Sequence, residues 1–225
     1  MSNLLSLSSV AKKIWMSLMG LFLFTFLLVH LSLNLTMITS PDSDLFNEAA
    51  HFMGTNPFIQ VFQWVLFAGF IVHIILGLTL QFQNWMARPS AYKVKASSEQ
   101  SFFSKYMIHT AVVIFVFLII HFLNFFLVAK GLVGEIGEVN IDGVVMEDMA
   151  GLVFDLFANP AYVAFYIIAL LFLGFHLDHG IQSAFQSLGL NHPKYTPCIK
   201  NAGRLLAIVI TLGYILIPLV IYFTK

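Results

Sequence analysis

Five apolar runs, at about 14–37, 57–84, 105–129, 160–187 and 204–223, take up more than half of this 225-residue chain. Each reaches the ~20 residues that a helix needs to cross about 30 Å of hydrocarbon. A backbone in that environment has no water to bond and must satisfy its own polar groups. The expected fold is therefore all-α: an integral membrane bundle of five transmembrane helices, one membrane domain over 1-225. Composition agrees. With 59% apolar residues, 10% charged residues and a mean hydropathy of +0.88, the chain carries more apolar surface than a soluble domain of its size can use. The lone Cys198 excludes an intrachain disulfide and an iron–sulfur cluster held by this chain alone. The first run is too long for a signal-peptide core, so no cleavable signal is expected.

Charge sets the expected orientation. Lys12 and Lys13 precede the first run, Arg88, Lys93, Lys95 and Lys105 lie between the second and third, and Lys194, Lys200 and Arg204 between the fourth and fifth. These nine of the eleven basic residues fall on one side, which the positive-inside rule makes cytoplasmic. The other side carries Asp42, Asp44, Glu48, Glu135, Glu138, Asp142, Glu147, Asp148 and Asp155. The N-terminus is expected inside and the C-terminus outside. Pro57 and Pro160 suit the first turn of a helix, with Asn56 and Asn159 as N-caps. Pro218 predicts a kink or a frayed end in the fifth span. The connection 130–159 is the one long extramembrane stretch, and 146–157 is a candidate for a short helix on the outer surface.

Four histidines, His30, His73, His121 and His176, sit one each in the first four runs. An ionisable side chain in hydrocarbon is costly, so each is a functional candidate by default. Two of the runs repeat one pattern: Asn56-Pro57 leads after fifteen residues to His73 and then Gly77, and Asn159-Pro160 leads after fifteen to His176 and then Gly180. At 1.5 Å per residue, His73 and His176 both lie ~24 Å from the outer end of their spans, while His30 and His121 lie ~10–12 Å from it. Depth therefore pairs His73 with His176 and His30 with His121, on the order of 15 Å apart along the membrane normal. Two imidazoles at one depth on different helices suit the two axial positions of a b-type haem, and two pairs suit two haems. Both axial sites would be filled, favouring electron transfer over ligand binding. Gly77 and Gly180, four residues past His73 and His176, share their helix faces and would leave room for a macrocycle edge.

Bland readings compete. A membrane histidine also serves as an interhelical hydrogen-bond partner, and a membrane glycine as a packing contact. His179, three residues past His176, is the alternative fourth ligand; depth and the glycine spacing favour His176. If it is not a ligand, His179 contacts a propionate or a partner subunit or is simply interfacial, and His109, near the inner end of the third run beside Lys105, has the same choice. His51 and His192 fall in loops, where solvation is the default.

Five spans with an inside N-terminus and one histidine in each of the first four closely resemble the single-chain di-haem cytochrome b anchor of succinate:quinone oxidoreductases, the succinate dehydrogenase and fumarate reductase family. The tract 174–189, GFHLDHGIQSAFQSLG, is similar to that family's fourth-helix H-x3-G-[IL] haem motif. The resemblance covers almost the whole chain. It implies that His73 and His176 ligate a proximal haem and His30 and His121 a distal one. It further implies that a cytoplasmic FAD-containing flavoprotein subunit and an iron–sulfur subunit exchange electrons with quinone, commonly menaquinone, through this chain. It points to a multi-pass protein of the bacterial inner (cytoplasmic) membrane; a nucleic-acid partner is not expected. Some members carry a proton-conducting glutamate two positions before the fourth-helix ligand. Here Gly174 stands there, which puts such a route in doubt.

Candidates for the quinone site are Asn34, Thr36, Asp44, Glu48, His51 and Asn124 near the outer pair, and Gln81, Trp85, Arg88, His109 and Asp178 near the inner one. Partners are expected to dock on 86–105, 188–204 and the first thirteen residues, unless those charges serve only topology and anionic lipid. Arg88, Lys105 and Arg204 are natural propionate partners. The rival readings are the cytochrome b subunit of a hydrogenase, formate dehydrogenase or nitrate reductase, and a haem-free anchor or transporter with a histidine proton relay. A relay would normally bring intramembrane acids, and apart from Asp178 near an end the spans contain none.

Overall fold

The computed structural model describes residues 8–40, 42–87 and 106–224. It is an all-α membrane bundle. Five helices are long and apolar enough to cross a membrane: α1 (Ser9–Thr39), α3 (Pro57–Met86), α4 (Met107–Ala129), α6 (Pro160–Ser187) and α7 (Thr196–Thr224). Two shorter helices, α2 (Asp44–Thr55) and α5 (Met149–Phe157), and a hairpin of β1 (Glu138–Ile141) and β2 (Val144–Glu147) lie in the connections.

Local signals start the helices where expected. Asn56 Oδ1 accepts from the backbone N–H of Phe58 and Ile59, and Asn159 Oδ1 from Ala161 and Tyr162, each just ahead of a first-turn proline. The helices outlast the hydropathy. α1 begins at Ser9 and α7 at Thr196, because the helix continues through charged turns that belong to the headgroup layer. The fifth span also runs on past Pro218 to Thr224, so no frayed end forms at the proline.

The helices are arranged so that four of them surround an axis. α1 packs on α3 and α6, and α6 packs on α4. α3 and α4 meet through Phe67, whose ring lies 5.5 Å from Phe122 and 5.3 Å from Phe126. α7 lies outside this ring against α6 and α1, burying Ile210, Tyr214, Ile217 and Ile221 along one face. Its close approach to α6 needs Gly174, where a Cβ would stand 2.5 Å from Thr211 Oγ1. α3 turns large apolar side chains outward, Phe58 at 84% exposure and Trp64 at 68%. Such a surface is a liability in water and is suited to lipid.

The end of the bundle remote from the basic residues, called outer below, carries a small cap. The expected helix over 146–157 proves to be α5 from Met149 only, because Met146 and Glu147 belong to β2. The hairpin pairs Ile141 with Val144 across Asp142-Gly143, both at positive φ (52° and 85°). That is the backbone of a two-residue primed turn, which Asp-Gly favours. Asn47 of α2, 2% exposed, ties the cap together: its Nδ2 donates to Asp148 Oδ1 at 3.0 Å and its Oδ1 accepts from Ala150 N at 2.8 Å.

Candidate functional site

The four membrane histidines come from the four helices around the axis, and they meet as two diagonal pairs. His30 of α1 faces His121 of α4, with ring centroids 5.8 Å apart and planes at 86°. His73 of α3 faces His176 of α6 at 6.2 Å and 67°. An imidazole nitrogen binds a transition metal at about 2.0–2.1 Å, so two rings facing each other across one metal have centroids roughly 6 Å apart. Both separations fit. Among the described residues no group of three or more His, Cys, Asp or Glu side chains is placed to hold a metal ion. Two-ligand pairs of this kind suit a metal whose remaining ligands come from a macrocycle.

Each ring has a distinct environment. His30 stacks on Phe26 (5.3 Å, 17°), and His121 on Phe117 (5.6 Å, 24°) with Phe125 at 5.1 Å. The backbone around His121 is also unusual: residues Phe122–Phe126 form a π-helical segment that begins at the next residue. Such widened turns are rare and are often found at functional sites. Within it, Asn124 Nδ2 donates to the Tyr162 hydroxyl at 2.9 Å, and Tyr162 and Tyr166 hydroxyls are 3.1 Å apart. His121 Nδ1 is 3.1 Å from the Tyr166 hydroxyl.

In the inner pair, His176 Nδ1 lies 3.4 Å from Thr110 Oγ1, which itself donates to the Met107 carbonyl at 2.8 Å. With its proton engaged there, the Thr110 oxygen is left to accept, so a proton on His176 Nδ1 completes the contact and leaves the Nε2 lone pair free. His73 differs. The Met16 backbone lies against its ring, yet its buried Nδ1 makes no hydrogen bond of ordinary geometry.

The glycines sit beside these rings with different clearances. A Cβ at Gly180 would find only the Met107 methyl at 4.0 Å, and one at Gly77 would find the Met16 methyl at 3.3 Å. Both neighbours are the ends of flexible methionines, which repack readily. Two further residues escape a reading by histidine and depth. Gly20 of α1 lies under His73, whose Cε1 would be 3.5 Å from a Cβ there. Lys12 is only 3% exposed, and it shares a face of α1 with Met16 and Gly20. Its spacing of four and eight residues from them was the available signal.

The remaining candidates are scattered. His176 rather than His179 is the ring facing His73. His109 is exposed, with Tyr106 at 5.6 Å. Asp178 accepts from Gln182 Nε2 at 2.7 Å and pairs with Arg204 at 3.5 Å, so Arg204 is engaged by a carboxylate of this chain. Asn34 and Thr36 bond to carbonyls of their own helix, at His30 and Leu33. Asp44 is exposed in the first turn of α2. Glu48 and His51 line a shallow outer groove with Asp142 and Val144, and His51 Nδ1 is 3.8 Å from Glu147. His192 is exposed in the turn before α7, and Gln81 and Trp85 lie near the inner end of α3. Arg88, Lys93, Lys95 and Lys105 lie outside the described residues, as do residues 1–7 of the expected docking face.

Comparison of the chain with family models, with curated proteins and with solved structures returned no match.

Proposed function

We propose that this chain is the di-haem cytochrome b anchor of a succinate:quinone oxidoreductase, carrying electrons between a cytoplasmic iron–sulfur subunit and membrane quinone. The observation that carries the reading is the pair of diagonal histidine contacts, 5.8 and 6.2 Å between centroids, on four helices around one axis. His30 and His121 would hold the outer haem, and His73 and His176 the inner one. When bound, haem supplies reversible one-electron chemistry. The chain's own residues orient the imidazoles, through Phe26, Phe117 and Thr110, and keep water from the axis. Lys12, buried at the inner end, suits an anionic group such as a propionate. The quinone, which in this reading is menaquinone, the FAD-containing flavoprotein subunit and the direction of turnover belong to the resemblance rather than to the geometry. So does residence in a bacterial inner membrane.

The test is a dithionite-reduced minus oxidised spectrum with a pyridine haemochrome assay on the complex purified through this chain. Two b-type haems per chain together with succinate–quinone reductase activity is the expected result. Two haems with hydrogenase, formate dehydrogenase or nitrate reductase activity would keep the ligands and replace the partner. No haem would overturn the reading.

A further inference from the structure

The polar chain behind His121 can run in two directions, and ligation selects one. As its protons are arranged, Asn124 donates to the Tyr162 oxygen and Tyr162 donates to the Tyr166 oxygen. Tyr166 then has its own proton to place, and His121 Nδ1 lies 3.1 Å away as the acceptor. In that direction His121 carries its proton on Nε2, which blocks the nitrogen that points away from the chain. The opposite direction is equally satisfied. If His121 Nδ1–H donates to Tyr166, Tyr166 donates to Tyr162, and Tyr162 donates to the carbonyl oxygen of Asn124. Only two hydroxyl rotations and one amide flip separate the two states, and no heavy atom need move far. Asn124 is what permits the reversal, since its side chain can end the chain as donor or as acceptor.

The surroundings hold this chain in place. Tyr166 is 5% exposed, and Phe157 of α5 packs over it at 5.0 Å and over Tyr162 at 5.7 Å. Water therefore has little access with which to replace a lost hydrogen bond. The π-helical segment turns Asn124 and Phe125 relative to His121 differently from a regular helix, which sets Asn124 against Tyr162 on the neighbouring α6.

We propose that Tyr166, backed by Tyr162 and Asn124, is a positioning residue that holds the proton of His121 on Nδ1 and so presents Nε2 to a metal. The proposal rests on the haem reading above and adds what selects the tautomer and tunes the outer site. An acceptor for Nδ1–H raises the basicity of a ligating imidazole and favours the oxidised metal. The inner pair uses a different and shorter device, Thr110 behind His176. The two sites are thus tuned by separate residues.

The test is a redox titration of both haems in the intact complex carrying Tyr166→Phe. The outer haem should become easier to reduce, its reduction equilibrium shifting about tenfold, or about 59 mV for a one-electron couple. The inner haem should keep its potential. Tyr162→Phe and Asn124→Leu, which leave His121 untouched, should move the outer potential in the same direction by less. An outer potential unchanged in Tyr166→Phe with both haems bound overturns the proposal. If Tyr166→Phe fails to assemble, unchanged potentials in both of the other variants overturn it equally. A wild-type complex without haem would instead overturn the reading beneath it, so the two failures are distinguishable.

Discussion

Single residues divide the two sites cleanly, because each histidine meets one partner and each pair lies at its own level. His73→Ala or His176→Ala should leave one haem per chain, the outer one, and His30→Ala or His121→Ala should leave only the inner one. His179→Ala should keep both, since His176 is the ring that faces His73. The check is haem stoichiometry by pyridine haemochrome, with redox titration to say which haem remains. Loss of a haem from His179→Ala would reassign the fourth ligand. The same scale explains why the repeat Asn-Pro…His…Gly was readable. Asn56 and Asn159 cap, Pro57 and Pro160 start a helix, and a fixed rise per residue then delivers each histidine to one depth. Thr110 and Tyr166 were not readable as partners of those histidines. Each is an ordinary helix residue until another helix brings a ring against it.

At the scale of elements, α7 is held by its fit to α6 and α1, and it supplies no histidine to either pair. Gly174 is the tightest contact of that fit. Adding a methyl there brings it to 2.5 Å from Thr211 Oγ1 and 3.1 Å from its Cγ2, against a threonine that is itself buried. Gly174→Ala should therefore destabilise the bundle by about 1–3 kcal/mol, the usual cost of overpacking. Thr211→Ala should recover much of that loss in the double variant. Thermal unfolding in detergent measures both, and additive effects of the two substitutions would refute the contact. The same contact gives a physical reason for the lack of a carboxylate at position 174. A glutamate could not stand there without a shift of Thr211 or of α7.

For the whole molecule the decisive question is which end faces the cytoplasm. The positive-inside rule predicts that the inner ends of α6 and α7 face it, and Cys198 is exposed in the first turn of α7. As the lone cysteine it is a built-in reporter. A membrane-impermeant maleimide should label it in inside-out vesicles and leave it unlabelled in intact cells. Labelling from the outside would invert the bundle and move the proposed docking face to the other side. The outer cap is a second feature of this scale. Asn47 joins α2 to Asp148 and Ala150 across about a hundred residues of sequence (sequence separations of 101 and 103), and α5 then lays Phe157 over the two tyrosines. Its hairpin carried a local signal, Asp142-Gly143 between alternating apolar residues, that an expectation of helix over 146–157 passed over.

What the sequence determined by itself is whatever depends on length, hydropathy and local chemistry: five spans, their starting caps, their expected orientation and the depth of each histidine. These follow because a bilayer imposes one length and one periodicity on every segment that crosses it. Only the tertiary structure decided which helices lie diagonally, so that rings at equal depth face one another across the axis. It alone set Thr110 behind His176, laid the Met16 backbone against His73, and brought Asn124, Tyr162 and Tyr166 into one chain behind His121. Those relations depend on how each helix is rotated about its own axis. Rotation is settled by contacts such as Gly174 on Thr211 and by a π-helical segment, and no span carries it in its sequence alone.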